Sequence, residues 1–297
     1  NVATQTKAEA LIEWVQDGCK QERRCPLPSH QAAAREMLVI LKEHKIPIDA
    51  AGHRFVHGGE LFKATTRVDE RSMAGLKQVL PLAPIHNPNS FSAIQVCLDG
   101  LPDIPEFVVF DTAFHAALPV EAREYALPRD LADRYGLRKY GFHGLSYQYV
   151  SARAAALLEQ PHDQVKLIMC HLGTGGSSVC AFTDGHSVET SMGFSPLAGL
   201  VMSTRCGDID AEVALELVRQ GMPADEVSRI LNNKSGLIGL SGYSSNLAEI
   251  IEAAEAGDDQ CRIAYEVYTR RLRHYLGAYT WLLNGADAIV FTDDIGV

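Results

Sequence analysis

Residues His171–Asp210 read HLGTGGSSVCAFTDGHSVETSMGFSPLAGLVMSTRCGDID, and the rest of the chain is best understood from this stretch. Ahead of it, KLIM (Lys166–Met169) is a short apolar run of strand type. Gly173, Gly175 and Gly176 follow, interleaved with Thr174 and trailed by Ser177 and Ser178. SVCAF (Ser178–Phe182) is a second β-prone run, and Asp184-Gly185 is a turn signal. The pattern predicts strand, glycine-rich turn, strand, turn, strand. A turn with three glycines and three hydroxyl residues lets backbone N–H groups close on an anion with no Cβ in the way. The same composition also serves an ordinary tight hairpin. Further on, Thr204-Arg205-Cys206-Gly207-Asp208 sets an arginine and a carboxylate beside a flexible glycine. Arginine is suited to a bidentate grip on carboxylate or phosphate; the alternative is a structural ion pair.

Composition narrows the function classes. The 297 residues suffice for two domains of ordinary size, and 46% hydrophobic with 22% charged residues is a globular composition. The net charge of -10 argues against nucleic-acid binding through a basic face. An acidic protein that handles an anion needs a local basic pocket against its own field, and Arg54 and Arg205 are candidates for it. The seven cysteines are scattered, odd in number and without a CxxC pair, so reduced thiols in a cytoplasmic setting are expected. NVATQTKAEALIEW has no basic segment followed by an apolar one, so no secretory signal is expected. No run of about 18 apolar residues predicts a membrane span.

Along the chain, the spacing of Ala8, Leu11, Ile12 and Val15 predicts a helix over 1–18, then a polar loop over 20–30 and a helix over 31–44. Gly52–Gly59 is a basic, aromatic and glycine-rich strand end, in which His53 and His57 read as hydrogen-bonded structural histidines. Helices are predicted over 68–80 and 89–99, separated by a loop that Pro84 and Pro88 stiffen around His86. FVVFDTAFH (Phe107–His115) is a buried strand ending in Asp111, a carboxylate too costly to bury without a partner or a task. Helices follow over 129–136 and 146–159, and a domain boundary is expected near 150, giving 1–150 and 151–297. Helices are then predicted over 210–220, 223–232, 247–256 and 258–283. NKSGLIGLSG (Asn233–Gly242) reads as a loop, and GADAIVFTDDIGV (Gly285–Val297) as a final strand.

Nine segments in order resemble the acetate/propionate kinase family: HRFVHGGE (53–60), LAPIHNP (82–88), FDTAFH (110–115), YGFHGLS (140–146), CHLGTGG (170–176), TSMGFSPLAGL (190–200), MSTRCGDID (202–210), NKSGLIGLSG (233–242) and ADAIVFTDDIG (286–296). The resemblance implies an α/β fold: duplicated ribonuclease-H-like domains around a cleft, as in actin, sugar kinases and heat-shock chaperones. The first would be an acyl-substrate domain and the second a phosphoryl-donor and nucleotide domain. It implies a homodimer that moves a phosphoryl group reversibly between ATP and acetate with Mg2+, giving ADP and acetyl phosphate. By the same likeness Arg54 and Arg205 clamp acetate and the phosphoryl group, and His143 donates to its equatorial oxygens. Asp111 orients the carboxylate or its arginine, or holds Mg2+ through water. His86 and His171 are supporting polar groups, His171 near the phosphates with Gly173, Thr174, Gly175 and Gly176. Val56, Ile85, Phe142 and Pro196 match the acyl pocket, and valine at 56 favours acetate over propionate.

The chain also departs from the family pattern. It has no Asn-x-Gly-Ser-Ser-Ser-x-Lys loop near its start and stops soon after the Gly-Ile-Gly region, so it reads as a partial version of the pattern. Thr174 stands where the family has asparagine. Asp293-Asp294-Ile295-Gly296 replaces the glycine-rich adenosine site, and two carboxylates there would crowd the nucleotide and repel phosphate. The variant resembles a small subgroup in which phosphate and pyrophosphate replace ADP and ATP. Three readings therefore stand: an ATP-dependent acetate kinase, a pyrophosphate-forming one, and a non-catalytic relative that binds an anion.

Overall fold

The computed structural model describes residues 9–16 and 18–296, in two compact units that divide at Phe110/Asp111. The boundary expected near 150 falls inside a continuous helix of the second unit.

The first unit opens with a hairpin. Strands β1 (Glu9–Gln16) and β2 (Cys19–Pro26) pair antiparallel from Glu9↔Pro26 to Gln16↔Cys19. This corrects both the helix expected over 1–18, whose first eight residues lie outside the described ones, and the loop expected over 20–30. The helical spacing of Leu11, Ile12 and Val15 loses to a period of two: Ile12 and Trp14 are half-buried, while Leu11, Glu13 and Val15 are exposed. Helix α1 (His30–Glu43) supplies the missing partner. Arg23 on β2 bonds Glu36 and Glu43 of α1 at 2.8 and 2.5 Å, and the Trp14 ring lies 5.2 Å from that of His44. Helix α1 starts where expected because Ser29 accepts from the Ala32 amide as its N-cap.

A three-stranded sheet follows. Strand β3 (Ala51–Phe55) runs parallel to β5 (Glu106–Phe110), and β4 (Thr66–Arg67) pairs antiparallel with β5, giving the order β3-β5-β4. Between them lie α2 (Glu70–Gln78), begun by an Asp69/Ser72 capping box, and α3 (Asn87–Gly100). Buried Asn87 donates to the carbonyls of His57 and Val79 at 3.0 and 2.8 Å and accepts from the His57 amide at 3.2 Å. It therefore ties the segment after β3 to the start of α3.

The second unit carries short helices α4 (Val120–Arg123) and α5 (Arg129–Tyr135), then α6 (Gly144–Leu157). Strands β6 (Leu167–Gly173), β7 (Gly176–Thr183) and β8 (His186–Thr190) form the expected meander. Helices α7 (Ala211–Arg219), α8 (Ala224–Asn233), α9 (Gly236–Ser241), α10 (Leu247–Glu255) and α11 (Asp259–Leu282) lead to β9 (Ala288–Thr292). The sheet order is β8-β7-β6-β9. Strand β6 is apolar from Leu167 to Cys170 because both faces are covered there. Leu167 and Met169 pack with Tyr147, Val150 and Ala154 of α6, whereas Ile168, Cys170 and Leu172 pack with Tyr279 and Leu283 at the end of α11 and beyond. A slip of one residue would exchange the two faces, so this packing holds the register at the glycine-rich turn.

The loop expected over 233–242 holds α9 instead. Its backbone is drawn into shape by the segment before α7: Leu237 and Ile238 amides donate to the carbonyls of Met202 and Ser203 at 2.9 and 3.1 Å. Gly236 makes this approach possible. Its φ is +64°, and a Cβ there would lie 2.1 Å from the Met202 carbonyl oxygen and 2.6 Å from that of Arg205. Gly236→Ala should therefore lower stability by about 1–3 kcal/mol, read as an earlier urea midpoint with an unchanged slope. An unchanged midpoint would mean that α9 does not hold the 202–205 segment.

Candidate active site

Strands β6 and β9 are parallel, paired from Leu167↔Ala288 to His171↔Thr292, so their C-terminal ends reach the same edge. Strand β7 begins there, with Gly176 opposite Gly173. The carboxyl ends of parallel strands are where open α/β sheets collect ligands. Here that edge gathers His171, the 173–176 turn, Ser178, Asp293 and Asp294, together with His143 at the start of α6 and the loop that carries Arg205.

The two histidines are fixed by neighbours. The rings of His143 and His171 are 4.1 Å apart. His143 sits in a left-handed conformation, φ +60°, just ahead of α6, and its Nδ1 is 2.8 Å from Ser178 Oγ. His171 reaches Ser146 Oγ through Nδ1 at 3.0 Å and Asp293 through Nε2 at 2.9 Å. Behind them, buried His115 makes bonds of 2.8 Å to Ser187 Oγ and 2.9 Å to the Phe142 carbonyl. Burial pulls its pKa down to about 4, so it stays neutral near pH 7 and pins the residue before His143.

Arg205 supplies the charge. Its Nη1 donates to the Pro196 carbonyl at 3.3 Å and its Nη2 to the Gly175 carbonyl at 3.4 Å. Among the described residues no carboxylate lies within ion-pair distance of it, and burial lowers its pKa from the ordinary value. It remains a cation all the same. Asp208, the neighbour that could have neutralised it, turns away: it accepts from the Gly199 amide at 2.7 Å and from Tyr275 Oη at 2.5 Å. Arg271 on α11 binds the Gly199 and Asp208 carbonyls at 3.0 Å each, so the loop around Arg205 is clamped at its base. A Cβ on Gly176 would sit 2.9 Å from Arg205 Nη1 and 3.6 Å from His143 Nε2, so both side chains converge over that glycine. A half-buried cation held by neutral carbonyls and the Met202 sulfur, with an imidazole beside it, is an arrangement suited to an anion.

The turn itself is already satisfied. Thr174 donates its amide to Asp294 at 2.8 Å and its hydroxyl at 2.6 Å. These bonds hold the Asp294 carboxyl below its usual pKa. Asp293 accepts from His171 and, through Oδ1, from the Asp294 amide at 2.9 Å. Ile295 and Gly296 amides donate to the Leu172 carbonyl at 2.9 and 3.2 Å, tying this segment to β6.

Asp111 is buried, at 1% exposure, and its carbonyl accepts from the Gly144 amide at 2.9 Å. Phe142 is buried and Pro196 half-buried in the same unit. Arg54, half-buried Val56 and exposed Ile85 and His86 belong to the first unit. His53 and His57 are structural as expected: His53 bonds buried Glu106 at 2.8 Å, and His57 Nδ1 accepts from the Gly59 amide. Tyr147, His115, Arg271 and Tyr275 were not legible as site residues. Only Tyr147, at the i+4 position from His143, carried a signal.

Comparison with known proteins identifies the family. The model of the Acetokinase family matches residues 2–297. An acetate kinase of Methanosarcina acetivorans is 44% identical over 288 residues, covering 94% of this chain and 70% of that protein. The crystal structure of acetate kinase from Entamoeba histolytica superposes with a TM-score of 0.90 at 42% identity, covering 96% of this chain and 74% of that one. A propionate kinase from Francisella tularensis gives 0.88 at 37% identity, over 93% and 72%. With a family model matched over nearly its whole length and relatives well above 30% identity, the chain belongs to the Acetokinase family of phosphotransferases.

Proposed function

We propose that this protein is an acetate kinase, which transfers a phosphoryl group reversibly between ATP and acetate to give ADP and acetyl phosphate. The observation that carries the reading is the half-buried Arg205 guanidinium, held by neutral carbonyls and converging with His143 over Gly176. The transferred group spreads negative charge over its equatorial oxygens, so catalysis is largely positioning and charge stabilisation. Arg205 stabilises that charge and His143 donates to the same oxygens. Acetate is already an anion and a nucleophile, so no general base is needed. Arg54 takes the carboxylate of acetate, with His86 in support. Val56, Ile85, Phe142 and Pro196 serve the acyl methyl.

Mg2+ fits one way of being held. Among the described residues no cluster of three or more His, Cys, Asp or Glu forms a metal cage. Mg2+ instead suits one or two carboxylates, retained water and substrate phosphates, and buried Asp111 is the residue that would hold it through water. When bound, the ion would neutralise charge on the phosphoryl oxygens. The same proposal includes a cytoplasmic homodimer. All seven cysteines are free, and no helix among the described residues is long and apolar enough to cross a membrane.

A second reading concerns the phosphoryl partner. Asp294 takes up the Thr174 amide and hydroxyl, and with Asp293 it puts two carboxylates where the family resemblance expects glycine at the adenosine site. This favours phosphate over ADP as the acceptor of the acetyl phosphate phosphoryl group, giving pyrophosphate.

Three measurements test these assignments. Acetyl phosphate consumption with Mg2+ is compared with ADP or with phosphate as acceptor. ATP formation supports the first reading and pyrophosphate formation the second. Consumption with neither returns the protein to the non-catalytic reading. In whichever assay is active, Arg205→Ala should lower kcat about 100-fold or more with the fold retained; near-normal turnover would remove Arg205 from the chemistry. Val56→Ala should raise the propionate-to-acetate ratio of kcat/KM by roughly tenfold, and an unchanged ratio would take Val56 out of the acyl pocket.

A further inference from the structure

One hydroxyl group in the second unit bridges two rings. Ser178, fully buried on β7, places its Oγ 2.8 Å from His143 Nδ1 and 2.5 Å from Tyr147 Oη. A serine hydroxyl has one proton to give and lone pairs to receive. Two directions of donation run continuously through this chain, whereas if both rings donated to Ser178 its own proton would have no partner among the described residues. In one, Tyr147 donates to Ser178 and Ser178 donates to His143 Nδ1. In the other, His143 donates from Nδ1 to Ser178 and Ser178 donates to Tyr147. The second leaves the Tyr147 proton without an acceptor, because the hydrogen-bond partner of Tyr147 Oη among the described residues is Ser178 itself. A buried donor left unpaired carries the full cost of its desolvation. Tyr147 is also completely buried, and burial pushes its pKa well above the ordinary value, so it keeps the proton that it donates.

We propose that Tyr147 and Ser178 are positioning residues that keep the proton of His143 on Nε2 and aim it at the space shared with Arg205 Nη1. The proposal rests on the phosphoryl-transfer reading for its use, since an Nε2–H directed there donates to the oxygens of the transferred group. The geometry agrees at both ends of the residue. The His115 bond to the Phe142 carbonyl fixes the backbone ahead of His143, and the Ser178 bond fixes the ring. Neither Tyr147 nor Ser178 touches the reacting group in this assignment; both act through the imidazole. His171 does not share the arrangement, because its Nε2 is committed to Asp293.

The test uses the whole chain with nitrogen-15-labelled histidine. Long-range proton–nitrogen NMR, at a pH where His143 is neutral, should show its proton on Nε2. Ser178→Ala should convert His143 to a tautomer mixture, and Ser178→Thr should restore the Nε2–H form. Tyr147→Phe should broaden or shift the same signal while leaving the packing of α6 in place. In the active assay, Ser178→Ala and Tyr147→Phe should each lower kcat about tenfold, the equivalent of one transition-state hydrogen bond, with KM within about twofold. Ser178→Thr should recover most of the rate. An Nδ1–H tautomer in the unmodified protein, or an unchanged one in Ser178→Ala, overturns the proposal. A changed tautomer with unchanged kcat overturns its catalytic use. Should Ser178→Ala fail to fold, Tyr147→Phe decides both points. If no acyl-phosphate turnover is found, the functional reading fails while the NMR result still decides the relay.

Discussion

A half-buried arginine with no carboxylate within ion-pair distance among the described residues is the constraint on which the second unit turns. Arg205 is held by the carbonyls of Pro196 and Gly175, and Asp208 is drawn off by Gly199 and Tyr275. A cation in that state is unfavourable until an anion arrives, so the fold has to keep it from collapsing onto a nearby acid. The loop therefore hangs from several elements: Arg271 of α11 clamps one side, and the α9 amides clamp the other. Removing any one of these anchors would give the guanidinium freedom to find its own counter-ion.

The rest of the site follows from strand direction. Because β6 and β9 are parallel and β7 returns antiparallel, three separate sequence segments end or begin at one edge. The buried faces of β6, packed by α6 on one side and α11 on the other, keep that edge in register. Rigid secondary structure thus carries the histidines, and the cation is carried by a loop that the same elements brace. That division of labour suits chemistry in which most of the catalysis is placement of charge.

The strands of the second unit were legible because their signals are local. KLIM, the three glycines and Asp184-Gly185 needed no partner to be read. The glycine-rich turn and Arg205 also stood out by residue type alone, and the structure sets them side by side through the Gly175 carbonyl. What escaped was whatever depends on a distant neighbour. Residues 9–26 read as helix and loop but form a hairpin, which Trp14 against His44 and Arg23 on Glu36 and Glu43 tie to α1 and its end. Residues 236–241 are helical because backbone at 202–203 receives their amides. Ser178, quoted within the turn, gives no hint in sequence that His143 lies against it, and Arg271 gives none that it grips Gly199. The division of contacts at Phe110/Asp111 has a similar origin: the composition around 160 is loop-like, yet α6 is packed on β6 and belongs with it.

The pair of bonds from Thr174 to Asp294 has an evolutionary side. The carboxylate bonds the turn, and it makes no direct hydrogen bond to Arg205 or His143. A codon for aspartate becomes one for glycine through a single base. Such an exchange would break no hydrogen bond that Arg205 or His143 makes, so this segment can drift while the groups over Gly176 stay as they are.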